Sequence, residues 1–444
     1  MKVMNDGLTS RKHYLENMRI CESYACHPCQ ELEDTERQLS DAIRVGHLRR
    51  TITSLKSDVN AAHDRVISRL PIELISRVFC MPDDEPQPLD QNLGDSTPWI
   101  SCFPQHLLGS VSIQWWDIAW STPQIWNVIR LRLHPDTLQL GGLLAPQLQV
   151  VAAHLLRSGA FPLSIRMQWH PNHGGMYNNA NIFQPIIDLL NSSSDRWRVL
   201  DLKLPPTLIM RMYGKDSGSL QLHTLHLSDT TNTAIPFAMQ CGTTRPSKVV
   251  MADSFRLSRI EIDWSNVAHP EAAQADVRFD ECVPILKLAP KLKRIIFNIY
   301  REPYPPKLLT SSSQVTLPNL CSLDLINAVS HHMYLFDVLT LSSLEKLSAP
   351  WIRDRASLVG LLRRSSCHLS HFHVGAVFSL ASEVISFTRK MPYLKVISLH
   401  DITVDGFNQL SQLLAPPPTS GADREDLFFP PLSTLSLTGN LNSV

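Results

Sequence analysis

The sequence predicts an α/β fold in which a small all-α N-terminal region precedes a solenoid of strand-helix repeats. Two observations lead to this prediction. One apolar pattern recurs nine times after about residue 190, and amphipathic helical segments fill much of the chain before residue 130. The chain has 444 residues, of which 43% are hydrophobic, enough for two or three packed domains at roughly 150 residues each.

The recurring pattern has the form apolar-x-x-apolar-x-apolar, and helical stretches lie between its copies. Its nine copies begin at Trp197, Leu222, Leu257, Leu292, Leu320, Leu344, Leu369, Leu394 and Leu432. Their spacing is typical of leucine-rich repeats, which run about 20–29 residues and lengthen with insertions. One strand-helix unit cannot bury its own apolar face, so we expect a leucine-rich-repeat solenoid over residues 191–444. The pattern ends directly after a strand without a closing cap, as in a truncated solenoid.

The region before residue 69 divides into two segments. Residues 1–30 are predicted to be a disordered tail. Residues 31–66 are predicted to form one amphipathic helix, because apolar residues recur at alternating intervals of four and three, as in a heptad pattern. These residues are Leu48, Ile52, Leu55, Val59, Ala62 and Val66. The helix could pack on the next domain, and the alternative is that it forms a homodimer.

The segment RLPIELISRVF, residues 69–79, predicts a very short helix with an apolar face that is large for its length. Pro71 suits a first helical turn, and the apolar residues after it share one side. A helix this short must dock on the rest of the chain or on another protein. The Pro-rich and acidic residues 81–106 predict a loop. A second helical pattern follows and stops at Pro123, because the residue before proline avoids the helical conformation.

These segments resemble the F-box-like proteins that are abundant in mushroom-forming fungi. In the first block the match comprises Leu70, Pro71, Glu73, Leu74, Ile75, Val78 and Phe79. In the second block it comprises Val111, Trp115, Asp117, Ile118, Ala119, Ser121, Thr122, Pro123 and Trp126. Three residues depart from the family pattern: Ser112 replaces a cysteine, Trp116 an arginine and Trp120 a leucine. The resemblance implies an F-box-like domain at residues 67–130, with residues 131–190 as a linker and the start of the solenoid.

The resemblance also implies a function, namely docking on the Skp-family adaptor of a cullin-RING ubiquitin ligase (SCF) while the repeats hold a protein substrate. The adaptor-binding residues would be Leu70, Pro71, Glu73, Leu74, Ile75, Val78, Phe79, Val111, Trp115 and Ile118. An apolar helix face near several tryptophans also has the composition of a binding hot spot. The alternative is a leucine-rich scaffold that binds a partner without ligase association, since Trp116 removes a charge from the last F-box helix.

The alternation of a strand assigns the substrate-binding residues to the concave face of the solenoid, where solenoids typically bind ligands. The candidates are Arg259, Glu261, Lys293, Arg294, Asp324, Glu345, Lys346, His371, His373 and Lys395, and the same alternation adds Arg198, Asp201, His223 and His226. Arg259, Lys293 and Arg294 form a small basic cluster that suits an acidic or phosphorylated segment. An ordinary solvated face is the alternative for any one of these residues.

Composition and missing motifs argue against nucleic-acid binding, membrane insertion, secretion and enzymatic activity. Lysine plus arginine equals aspartate plus glutamate at 41 each, which argues against nucleic-acid binding as the main task. No apolar run predicts a membrane span or a signal peptide, and nine scattered cysteines suit reduced thiols in the cytoplasm or nucleus. The common hydrolase and nucleotide-binding motifs are missing from the sequence, so we expect neither an enzyme nor a cofactor.

Two Cys- and His-rich stretches are candidate metal sites. Zinc usually takes four ligands in two pairs. Cys21, Cys26, His27 and Cys29 lack a second pair, so we expect them to belong to the disordered tail. The second stretch holds Cys367, His368, His371 and His373. Its last two histidines could share a metal, but we expect them to be exposed residues of the protein-binding surface.

Overall fold

A computed structural model describes most of the chain in ordered segments. The described residues are 34–48 without 36, 69–80, 113–133, 144–169, 181–214, 222–229, 236–239, 244–252, 256–299, 314–326, 332–349, 355–375, 391–400 and 433–438, with the single residues 51, 54, 55, 58 and 408. The chain divides into two compact units. The helical unit comprises Met1–Phe79 and His106–Ser121, and the sheet unit comprises Cys80–Gln105 and Thr122–Val444.

The described core of the helical unit lies between α1, Ile72–Phe79, and α2, Ile113–Ser121. The carbonyl oxygen of Pro71 accepts hydrogen bonds from the N–H groups of Leu74 and Ile75, so α1 begins directly after this proline. Proline fits this position because the first-turn N–H groups have no partner within a helix. Ile75 is 1% exposed and Ile118 is 3% exposed, so one residue from each helix forms the core.

The structure describes part of the segment predicted to form the N-terminal helix, and the single helix over residues 31–66 stays a prediction. Residues 34, 35, 37–48, 51, 54, 55 and 58 are all helical. Leu48 is 51% exposed and Leu55 is 58% exposed. These two heptad positions are therefore not buried within the chain, and both packing on the next domain and dimerisation stay predictions. The tail at residues 1–30 and the loop at residues 81–106 lie outside the described residues.

A parallel sheet of twelve strands organises the sheet unit, and each strand pairs with its neighbours in chain order. The strands are β1 Val128–Leu133, β2 Leu163–Trp169, β3 Trp197–Leu204, β4 Thr224–Asp229, β5 Lys248–Ala252, β6 His269–Val277, β7 Arg294–Ile299, β8 Ser322–Ile326, β9 Lys346–Ala349, β10 His371–Gly375, β11 Val396–His400 and β12 Thr434–Thr438. The α/β class is confirmed at this level, as a large parallel sheet with helices between strands. The leucine-rich-repeat assignment remains a prediction.

Helices connect several of the strands. They are α3 Leu144–Arg157, α4 Gln184–Asn191, α5 Pro206–Ile209, α6 Phe279–Leu288, α7 His332–Val338 and α8 Arg355–Ser365. Short 3-10 helices occupy Pro123–Asn127, Ser194–Arg196, Leu257–Arg259 and Trp264–Asn266. Two further pairs of short parallel strands lie outside the large sheet, Phe237–Ala238 with Ile260–Glu261 and Val315–Thr316 with Leu339–Thr340. A single cluster of buried side chains extends from Ile129 to Leu399.

The strands form because apolar residues alternate with polar ones along them. In β8, Leu323 and Leu325 are 1% and 0% exposed, while Ser322, Asp324 and Ile326 are half-buried on the other face. The register places apolar residues beside apolar residues, as Leu323 pairs with Ile295 on one side and Leu347 on the other. A shift by one residue would send every core leucine to solvent, so the pattern fixes the register.

A recurring turn explains the prolines that precede several strands. The N–H of Leu292 donates to the carbonyl of Ala289, and Leu320 and Leu394 make the same bond to the residue three positions earlier. Proline occupies the second position of each of these turns, which is the position that its fixed φ favours. The turn thus delivers a buried leucine to the core immediately before the strand begins.

A ladder of shared carbonyl groups joins the strand starts from β3 to β12. The carbonyl of Lys293 accepts from the N–H groups of Cys321 and Ser322, and the carbonyl of Glu345 accepts from those of Ser370 and His371. The hydroxyl of Ser370 donates a third bond to the Glu345 carbonyl, at 3.0 Å. Nearly every buried backbone N–H and C=O group needs a hydrogen-bond partner. Because the ladder supplies these partners, it also fixes how the charged residues directly before the strands are aligned.

The sheet differs from the predicted repeat series in two ways. It begins at β1 rather than β3. The strand β1 starts inside the segment assigned to the F-box-like domain, and residues 131–190, assigned to a linker and the start of the solenoid, hold the rest of β1 with α3, β2 and nearly all of α4. It also contains β5 and β6, which the pattern missed. The predicted repeat at Leu257 was wrong for the large sheet, because Ile260–Glu261 pairs with Phe237–Ala238 instead.

Candidate partner-binding surfaces

The apolar face of α1 is divided between a buried half and an exposed half. Ile75 is buried against Ile118, and the Phe79 ring lies 4.9 Å from that of Trp115. Leu74 and Val78, in contrast, are 44% and 48% exposed. Their four-residue spacing places them side by side along the helix. Burial within the unit therefore explains half of this face and leaves the other half available to a partner.

The remaining predicted adaptor-binding residues are placed as follows. Leu70 and Trp115 are partly buried against the Ile75–Ile118 core, whereas Pro71 and Glu73 are exposed. Ile72, which the prediction left out, is 53% exposed. Val111 lies outside the described residues.

Two tryptophans of α2 stack on each other. The ring centroids of Trp116 and Trp120 are 3.7 Å apart and their planes differ by 18°. Trp116 is 39% exposed, so the pair offers an aromatic surface at the position where the F-box-like pattern has an arginine. Recognition at this site would therefore depend on aromatic and apolar contact rather than on charge.

The second candidate surface is the polar face of the large sheet, made by the residues that alternate with the buried ones. Its side chains form rows that cross the strands. The first row, near the strand starts, is Val128, Ser164, Val199, Thr224, Lys248, His269, Arg294, Ser322, Lys346, His371, Val396 and Thr434. The second row is Arg130, Arg166, Asp201, His226, Val250, Glu271, Ile296, Asp324, Ser348, His373, Ser398 and Ser436.

The structure brings most of the predicted substrate-binding residues onto this face or its margin. Arg294, Lys346 and His371 lie in the first row, while Asp324 and His373 lie in the second. The predicted residues Lys293, Glu345 and Lys395, and with them His223, occupy the position directly before a strand, where their carbonyls belong to the hydrogen-bond ladder. Arg198 is the second residue of β3, and Asp201 and His226 are second-row neighbours.

Arg259 and Glu261 do not belong to this surface, which corrects the prediction for both. Arg259 ends a 3-10 helix, and Glu261 lies in the short strand paired with Phe237–Ala238. The basic cluster predicted from Arg259, Lys293 and Arg294 therefore has a different third member. It is Lys248, which β5 adds to the first row together with His269 of β6.

Sequence reasoning missed Lys248 and His269 because it missed their strands. It also missed Arg130, Arg132 and Arg166, which lie on the polar face of β1 and β2, where Arg130 pairs directly with Arg166. The alternation in the sequence VIRLRL at Val128–Leu133 was a signal that could have revealed β1.

Electrostatic interactions distinguish the two rows. Desolvation lowers the pKa of His269 below its ordinary value, and the positive charges of Lys293, Lys248 and Arg294 and the imidazole of His223 lower it further. In the second row, Nδ1 of His226 lies 2.9 Å from the Asp201 carboxylate. The first row is therefore electropositive around His269, while acidic groups enter only in the second row.

His371 and His373 share the polar face, as predicted, because Phe372 between them is 2% exposed and points into the core. Nδ1 of His371 lies 2.8 Å from the Ser370 hydroxyl. Within the described ranges, no group of three or more His, Cys, Asp or Glu side chains could hold a metal ion. Cys80, Cys282, Cys321 and Cys367 form no disulfide bond, and the Cys21–Cys29 stretch lies outside the described residues.

Comparisons with known proteins add no relative. The chain matches no protein-family model, no curated protein sequence and no solved structure. None of the described helices combines the length and apolar character that crossing a membrane requires. The geometry of the two surfaces is therefore what supports a function.

Proposed function

We propose that the chain is the substrate-recognition subunit of a Skp-cullin-F-box ubiquitin ligase in the cytoplasm or nucleus. The observation that carries this proposal is the exposed half of α1, formed by Leu74 and Val78 at a spacing of four residues. Large apolar side chains at helical spacing are the anchors by which a helix packs against a partner. The resemblance of RLPIELISRVF to the F-box-like pattern supports a Skp-family adaptor as that partner, through which the chain would join a cullin.

The sheet unit would hold a protein substrate on its polar face. Its first row supplies cations, and its second row supplies the carboxylates of Asp201, Glu271 and Asp324 together with Arg130 and Arg166, a pattern that suits recognition of a charged protein segment. No catalytic group is needed for this function. One unit binds the adaptor and the other binds the substrate, so the chain raises the effective concentration of substrate near a ubiquitin-conjugating enzyme.

A specific observation favours the second candidate, a leucine-rich scaffold without ligase association. Trp116 and Trp120 stack on each other at positions where the family pattern has arginine and leucine. If the adaptor requires that arginine, the helical unit would not engage it. The apolar half of α1 would then bind a different partner.

Co-purification with the Skp-family adaptor tests the proposal. The full chain, co-expressed with the adaptor, should elute from size-exclusion chromatography as a stable 1:1 complex. Leu74→Asp with Val78→Asp should abolish the complex without unfolding the helical unit, because both side chains are about half exposed. Burying two unpaired carboxylates in an apolar interface costs several kcal/mol, roughly a thousandfold or more in affinity.

The matched control is Leu156→Asp with Leu288→Asp, since these leucines are 82% and 60% exposed in the sheet unit. This variant should bind the adaptor as the unchanged chain does, and circular dichroism should show all variants folded. Elution of folded, unchanged chain without the adaptor would rule out the receptor function. Loss of binding in the control would show that added charge, rather than α1, is responsible.

A further inference from the structure

A compact group of cations lies in the first row of the sheet, across three neighbouring strands. Lys248 of β5 pairs with His269 of β6, and the N–H of Arg294 of β7 donates to the Ala268 carbonyl directly before His269. Neighbouring strands lie about 4.8 Å apart. Lys293, one residue before β7, adds a fourth basic group at the same edge, so three permanent cations surround one imidazole.

The described residues do not neutralise this group. Among them, no carboxylate lies within 4.0 Å of the charged nitrogens of Lys248, Lys293 or Arg294, although such pairs occur at Asp201 and Asp263. The nearest acidic neighbour in the pairing is Glu271, two residues beyond His269 and in the second row. Thr224 and Ser322 continue the first row on either side and bring hydroxyl groups rather than charge.

We propose that Lys248, His269, Lys293 and Arg294 bind a phosphoryl group carried by a segment of a protein substrate. The inference deepens the proposed function by naming the substrate class, and it rests on that function for the substrate being a protein. A phosphorylated side chain carries close to two negative charges and three acceptor oxygens. Its compact shape allows donors from three adjacent strands to converge on it.

A phosphoryl group fits this site better than a single carboxylate does. Three permanent cations exceed the charge of one carboxylate, which would leave two of them unpaired. Arg294 can donate two parallel hydrogen bonds to a phosphoryl group, while Lys248 and Lys293 act as point charges. His269 then completes the site as a donor that gains its proton when the anion binds.

The protonation of His269 is coupled to anion binding, so the pH dependence of binding tests the proposal. Desolvation and the surrounding positive charges lower the pKa of His269 in the free chain. A bound dianion opposes those charges and raises the pKa, so binding takes up a proton. Binding should therefore tighten as the pH falls from about 7.5 to about 6.5, a range above the phosphoserine pKa of about 6.

The experiment measures binding of the full chain to a degenerate phosphoserine peptide library immobilised on beads. The matched libraries replace phosphoserine by serine or by glutamate. We expect the chain to bind the phosphorylated library and to bind the other two at least about tenfold less, the difference that one to two charge-assisted hydrogen bonds produce. Lys293→Gln with Arg294→Gln should remove this preference.

A matched control removes the same charge from the same face. Lys346→Gln with Lys395→Gln changes two cations nearer β12, and all four substituted side chains are exposed, so neither variant should unfold. This control should retain the preference. His269→Asn should still bind phosphopeptides at about pH 7.5 but lose the extra affinity at about pH 6.5 that the unchanged chain shows.

Each other outcome overturns the inference. If the chain binds the glutamate and phosphoserine libraries equally, the ligand is an acidic segment rather than a phosphoryl group. If the two double variants lose the preference for the phosphorylated library equally, the attraction is diffuse and there is no defined site. A preference for none of the libraries would leave the cluster without this ligand. Adaptor co-purification is independent of these results, so its failure would overturn the ligase function while the phosphopeptide result stands.

Discussion

Replacing Gln147 by leucine should stabilise the sheet unit. Gln147 lies on the buried side of α3, one turn before Val151, and is only 3% exposed. Its amide nitrogen and oxygen are both buried, and neither has a hydrogen-bond partner in the described part of the chain. A buried polar group without a partner costs about 1–3 kcal/mol. Leucine has nearly the same volume, so Gln147→Leu should recover that energy without leaving a cavity.

The assay is thermal unfolding of the full chain, followed by circular dichroism. A gain of about 1–3 kcal/mol should raise the Tm of the sheet unit by about 1.5–4 °C, because the unfolding entropy of a unit this large is high. Gln149→Leu is the control, because Gln149 is exposed on the same helix and should change the Tm by less than about 1 °C. A lower Tm for Gln147→Leu would refute the reasoning, since it would mean that the amide is hydrogen-bonded in the folded chain.

Two further predictions concern single polar side chains. Arg196 donates to the Phe161 carbonyl and to the Ser158 hydroxyl, so Arg196→Ala should lower the free energy of unfolding by about 1.5–3 kcal/mol in chemical denaturation, and an unchanged value would contradict this. Asp263 accepts from the N–H of Ser265 at a helix start, so Asp263→Ala should cost about 1 kcal/mol. Hydrogen bonds from Ser265 and the charge of Arg245 lower the pKa of the Asp263 carboxyl. The stabilisation that Asp263 provides should therefore be present above the ordinary carboxyl pKa and disappear as the pH falls through the lowered pKa. If Asp263→Ala and the unchanged chain lose stability equally in acid, this pH dependence is excluded.

The strands that are predictable from the sequence have large apolar residues at their core positions. Where leucine or isoleucine fills the core positions, as at Leu323 and Leu325, the apolar pattern reports burial directly. In β6 the register instead places Pro270 and Ala272 at the core positions. Proline rarely occurs inside a sheet, and alanine carries little hydrophobic signal, so no local pattern predicts this strand. Tertiary pairing with β5 and β7 determines it.

The same limit applies to the candidate sites. Helical periodicity correctly placed the apolar residues of α1 on one side, but only packing against α2 separates buried Ile75 from exposed Leu74. On the sheet, alternation correctly placed Arg294 and His371, because their strands were recognised. It could not place Lys248 beside His269, since adjacency across strands depends on a register that the sequence does not display.

The cations of the first row are not explained by the fold. Like charges gathered on one face of a sheet repel each other, and the equivalent positions elsewhere in the row show that no charge is required there. Ser322, Val396 and Thr434 fill those positions with neutral side chains while the buried face keeps the same apolar pattern. Lys248 and Arg294 lie on the two strands that flank His269, so the positive charge gathered around this imidazole is a cost to folding that a bound anion would offset. This is the physical reason to look for the substrate at His269 first, before the rest of the polar face.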